Sequence, residues 1–144
     1  MTIYFDMDGT IANLYNVTDW LNYLRNFNST PYQKAAPLLN FSAFAKLLRQ
    51  VQKAGYEIGI ITWGAKVSNL EYDMEVERAK RAWLMKHLPS IEWQEFHFLP
   101  YGMDKNIINS GDDILFDDEE YNRISWSGKA YEPQDIMTIL RALI

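Results

Sequence analysis

The stretch TIYFDMDGT, residues 2–10, decides how the rest of the chain is read. Thr2–Phe5 is a β-prone run that stops at Asp6, where an acidic, glycine-containing segment begins. A strand ending in a polar turn presents side chains at the edge of a sheet. Asp8 lies two residues after Asp6. Gly9 permits a turn just beyond, where exposed N–H groups can face a phosphate.

Outward from this stretch, strand and helix patterns alternate. Trp20, Leu21, Leu24 and Phe27 predict a helix over 17–27, with Thr18 or Asp19 as cap. Residues 28–37, with two prolines, predict a loop. Phe44, Leu47, Leu48 and Val51 form the stripe of a helix over 40–54 that stops at Gly55. A strand over 56–62 follows and runs into Trp63-Gly64. Val76, Ala79, Trp83 and Leu84 mark a helix over 75–87, ended by Pro89. Strands are predicted over 95–99, 113–116 and 129–131, and a last helix over 134–143. The alternation calls for an α/β fold, a three-layer, Rossmann-like, doubly wound parallel sheet in one domain over 1–144.

Composition narrows the possibilities. There is no cysteine, which excludes disulfides, thiolate nucleophiles and thiolate-bound zinc. The net charge of −5 argues against a general affinity for nucleic acid. The N-terminus lacks a basic start and an apolar signal core, and no stretch approaches a membrane span. The expectation is a soluble, cytoplasmic protein.

In a doubly wound sheet, ligands bind at the carboxyl ends of the strands. Those ends carry Asp6 and Asp8, Thr62, and Asp117 with Asp118, and Lys105 lies in the segment after the third strand. Two unit charges ~5 Å apart repel by about 3 kcal/mol at an effective dielectric of ~20. Four carboxylates therefore need protons or a cation, and an all-oxygen set suits Mg²⁺. No histidine lies in these segments, which argues against zinc. Such a set fits phosphoryl transfer: a carboxylate nucleophile, charge neutralisation by Mg²⁺, Lys105 and the Thr62 hydroxyl, and Asp8 as acid and then base.

At these residues the sequence resembles the phosphatases of the haloacid dehalogenase-like superfamily. Asp6-Met7-Asp8-Gly9-Thr10 matches DxDGT, Thr62 closes the strand IGIIT, Lys105 follows, and Asp117-Asp118 with Asn122 gives DDxxxN. The resemblance spans nearly the whole chain. It implies Asp6 as nucleophile and metal ligand, and Asp8 as acid/base with its carbonyl a second ligand. It also implies Asp117 as a Mg²⁺ ligand and Asp118 as one acting directly or through water. Gly9, Thr62, Trp63 and Lys105 form the expected phosphate-binding set. Trp63 is a departure, since smaller residues are common there; it narrows the pocket or stacks on a substrate. The family often carries a cap domain, but residues 11–38 leave room only for a flap or minimal cap.

The stretches KRAWLMKHLP and FLPYGMDK resemble deoxyribonucleotidase-like members, so the expected substrate is a nucleotide or other small phosphate ester. The alternatives are a non-catalytic metal-binding module and a polynucleotide-end phosphatase. Trp20, Tyr23 and Tyr32 either line the mouth of the site or form an aromatic cluster under the insert. Arg78, Lys80 and Arg81 read as a solvated helix face paired with Glu75 and Glu77. Lys129 is the fallback for the role of Lys105.

Overall fold

The computed structural model describes residues 1–144. Strand β1 (Thr2–Phe5) leads into β2 (Ala12–Asn13), helices α1 (Trp20–Arg25) and α2 (Thr30–Lys34), and β3 (Ala36–Pro37). Then come α3 (Phe41–Lys53), β4 (Glu57–Trp63), α4 (Leu70–His87), β5 (Glu95–Leu99) and β6 (Ile114–Phe116). The chain closes with α5 (Glu120–Ser125), β7 (Ala130–Tyr131) and α6 (Ile136–Ala142). A 3₁₀ turn at Lys105–Ile108 precedes β6.

Five strands form one parallel sheet in the order β5-β4-β1-β6-β7. This is the α/β, Rossmann-like architecture expected from the alternation. Strand β1 is central and buried along its whole length. Ile3 and Phe5 point into the main core with Phe44, Leu48, Val51, Ile60 and Leu140. Tyr4 points the other way, to Ile61, Leu115 and Trp126. Such strands read as continuous apolar runs because both faces are covered. Gly59 of β4 makes room for Tyr4: a Cβ there would lie 2.9 Å from its ring.

The insert departs from expectation in detail. Helix α1 starts only at Trp20, because Asp19 has φ 59° and its carboxylate does not cap. The expected loop instead holds α2, whose first turn carries Pro31, where no N–H is missed. Asn28 Oδ1 accepts from the Thr30 amide and hydroxyl just ahead of it. Strands β2 and β3 pair antiparallel at the base of the insert. Helix α4 begins at Leu70 rather than Glu75, because Asn69 caps it by accepting from the Tyr72 amide at 2.8 Å. Helix α5, directly after the acidic pair, was not expected. No helix is long and apolar enough to cross a membrane.

Candidate active site

The strand order places the carboxyl ends of β4, β1 and β6 side by side. Met7 is buried in the main core, so Asp6 and Asp8, alternating with it, turn to the opposite side. The Asp6 amide donates to the Phe116 carbonyl at 2.9 Å, which puts Asp6 beside Asp117. Thr10 clamps the two acidic segments. Its Oγ1 donates to Asp6 Oδ2 at 2.9 Å and accepts from the Asp118 amide at 3.2 Å.

Lys105 bridges the cluster. Its ammonium lies 2.9 Å from Asp6 Oδ1 and 2.6 Å from Asp117 Oδ2, and 5.2 Å above the Trp63 ring. Two of its three N–H donors are thus engaged, and the residue lines the cavity. Asn122 Nδ2 donates to Asp117 Oδ2 at 3.1 Å, and its buried Oδ1 has no partner.

Lys80 is the residue that sequence reasoning missed. It is 1% exposed, not on a solvated face. Its ammonium donates to Asp8 Oδ2 at 2.9 Å, Thr62 Oγ1 at 2.6 Å and the Trp63 carbonyl at 2.7 Å. Spacing carries the signal that could have found it: Lys80 follows buried Val76 by one helical repeat and precedes buried Leu84 by another. Of its neighbours, Arg81 does pair with Glu77, at an exposed position.

The other three members of the expected phosphate set, Gly9, Thr62 and Trp63, have these surroundings. Gly9 spends its amide on the Ala12 carbonyl at 2.9 Å, so that N–H does not face the cavity. What Gly9 supplies is space: at φ 81°, a Cβ would lie 2.3 Å from Asp118 Oδ2. Thr62 is fully buried behind Asp8 and accepts from Lys80. Trp63 spends its indole N–H on the Met103 carbonyl, and its ring packs 5.2 Å from Tyr101 at the cavity wall.

Asp6, Asp8, Lys105, Asp117 and Asp118 open onto one cavity of about 580 Å³, a size that suits a small molecule. Its outer wall is Tyr15, Trp20, Leu21, Tyr32 and Trp63, with Arg25 and Lys66 among the lining residues. Trp20 and Tyr32 thus belong to the wall, and Tyr32 also packs in a small core with Leu14 and Tyr72. Tyr23 lies outside this cavity.

Electrostatics at the floor are lopsided. Burial, reinforced by Asp6, pushes the Asp118 carboxyl up to about 8. The same two causes push Asp117 up to about 6 against the opposing pull of Lys105. Burial also raises Asp8, and Lys80 opposes it. Lys80 offsets the charge of Asp8 when that carboxyl is ionised. When all three are ionised, Asp6, Asp117 and Asp118 carry three negative charges against the single positive charge of Lys105, an excess of two that protons or a cation must offset. Oxygens of these three acids lie within 4.8 Å of one another. An all-oxygen donor set with a residual charge of two fits a hard divalent cation such as Mg²⁺.

The sequence matches no family model and no curated protein. Among solved structures, the chain is similar to D,D-heptose 1,7-bisphosphate phosphatase from Burkholderia thailandensis. The TM-score is 0.52, with 13% identity over 86% of this chain and 70% of that one. The likeness is one of fold, an α/β architecture with a parallel sheet.

Proposed function

We propose that the chain is a Mg²⁺-dependent phosphomonoester hydrolase that works through an aspartyl-phosphate on Asp6. One observation carries the reading: Lys105 joins Asp6 to Asp117 at the floor of a cavity onto which Asp8 and Asp118 also open. Binding alone requires no such division of labour between two acids two residues apart.

Asp6 attacks phosphorus as the ester P–O bond breaks. The departing alkoxide takes its proton from the Asp8 carboxyl. Lys105, with a donor to spare, neutralises a phosphoryl oxygen as charge moves. Water then attacks the aspartyl-phosphate. Asp8, now ionised, takes the proton of that water, and inorganic phosphate leaves with Asp6 restored. Asp6, Asp117 and Asp118, with the Asp8 carbonyl, are the groups that would hold Mg²⁺, which supplies positive charge to the phosphoryl oxygens.

The wall supports a small ester with a flat or apolar leaving group, a nucleotide among them. Trp20, Tyr15 and Trp63 offer ring faces, and Trp20 and Tyr15 already pack edge to face at 4.9 Å. The test is phosphate release with Mg²⁺ from a panel of 4-nitrophenyl phosphate, nucleoside monophosphates, sugar phosphates and phosphorylated DNA ends. Turnover of a small ester that is lost on chelation and in Asp6→Asn is the expected result. Turnover of DNA ends alone would change the substrate class. No turnover across the panel would leave the metal-binding module.

A further inference from the structure

Lys80 has no part in the chemistry just described, yet it is among the most buried side chains of the molecule. Its ammonium has three hydrogens and three acceptors: Asp8 Oδ2, Thr62 Oγ1 and the Trp63 carbonyl. No donor is left for a substrate, and the residue does not line the cavity. The aromatic faces of Tyr32 and Phe98 stand 5.1 and 5.9 Å from the nitrogen and close the remaining sides. Two of the acceptors belong to the end of β4, a rigid central strand. The third is the side chain of Asp8, which is 17% exposed and opens onto the cavity. A lysine so saturated acts only through what it holds.

We propose that Lys80 is a positioning residue for Asp8. By engaging Oδ2, it leaves Oδ1 as the oxygen that exchanges a proton with the leaving group. Thr62 and the Trp63 carbonyl form the seat that fixes the ammonium, so Thr62 serves Asp8 through Lys80. The inference rests on the phosphatase reading, and it goes beyond that reading by giving a task to a lysine outside the cavity.

The test compares an unactivated alkyl phosphate with 4-nitrophenyl phosphate, whose leaving group departs without a proton. The readout is kcat/KM, which reports the steps up to leaving-group departure. In Lys80→Met, kcat/KM for the alkyl ester is expected to fall about 100-fold, and for the aryl ester less than about 5-fold. Asp8→Asn should show the same asymmetry. Equal losses on the two esters, or no loss on either, would overturn the proposal, because a purely structural lysine does not distinguish leaving groups.

If Lys80→Met fails to fold, the double variant Asp8→Asn with Lys80→Met, which removes both charges, carries the test. Its kcat/KM on the alkyl ester should match Asp8→Asn within about 3-fold, since the lysine then has nothing left to position. A further loss of about 10-fold or more would overturn the proposal. Wild-type chain that hydrolyses neither ester would instead sink the phosphatase reading, and the proposal with it.

Discussion

Strand β6 carries a buried aspartate at each end, and the two have opposite characters. Asp113, at the amino end, is 1% exposed, and Asp117, at the carboxyl end, is fully buried. Both are well hydrogen-bonded. Asp113 accepts from the Thr2 amide and from the Ser110 amide and hydroxyl. Asp117 accepts from Lys105, Asn122 and the Glu119 amide. At Asp113, burial pushes the carboxyl up, but the Ser110 and Thr2 hydrogen bonds outweigh it and hold the group below the usual range. At Asp117, burial together with Asp6 wins, and the carboxyl rises to about 6. Neither burial nor the number of hydrogen bonds separates the two aspartates. What separates them is the company of like charge that the protein leaves uncompensated at one end of the sheet.

The sharpest way to break the comparison is activity. Asp117→Asn is expected to lower kcat/KM on the best ester by on the order of 10³-fold. Asp113→Asn should stay within about 3-fold of wild type, because its contacts serve the fold alone. Comparable losses from the two would erase the distinction.

Stability should reverse the ranking. Asp113→Ala leaves the buried Thr2 amide without an acceptor, removes the two bonds from the exposed Ser110, and is expected to cost about 2–3 kcal/mol. Calorimetry would register this as a Tm drop on the order of 10 °C. Above pH ~8, where Asp118 is ionised, Asp118→Asn should raise the Tm of the metal-free chain because it removes one of the crowded charges, and it should weaken stabilisation by Mg²⁺.

The pH dependence of the two ends should differ in sign. Unfolded aspartates titrate near ~4. Asp117 and Asp118 stand at about 6 and about 8 in the fold, so between these limits the folded state binds more protons than the unfolded. Their contribution to metal-free stability therefore falls as pH rises from ~4 towards ~8. Asp113, held low, contributes stability above ~4 that is lost as pH falls through its lowered value. Denaturant titrations across this range, with and without Mg²⁺, would show the first slope vanish when the cation is bound. A slope unchanged by Mg²⁺ would place the ion elsewhere.

The smallest effect tests the space behind the acidic end. Gly9→Ala strains a backbone at φ 81° and drives a methyl towards Asp118. It is expected to cost about 1–2 kcal/mol and to weaken the response to Mg²⁺. Gly55→Ala is the control, since its φ of 103° carries strain but a Cβ there meets no neighbour.

Most of the fold was legible in the sequence. The apolar run of β1, the stripe of α3 and the β-rich run before Trp63 encode strand and helix through local periodicity, and alternation of the two dictates a parallel sheet. The acidic residues at the strand ends were legible for the same reason, since a parallel sheet brings the carboxyl ends of its strands to one edge. The insert was harder to read. Its two helices are short, and α2 depends on a proline placement and an Asn28 side chain that periodicity does not register.

The sequence by itself determined the order of the elements and which carboxylates share an edge, because both follow from local pattern and chain direction. Only the tertiary structure decided which lysine serves which acid. Lys80 and Lys105 look alike as letters. Packing of α4 against the insert buries one behind Asp8, and the turn before β6 delivers the other between Asp6 and Asp117. An ammonium takes its role from the acceptors around it, and those come from segments that meet only when the chain has folded.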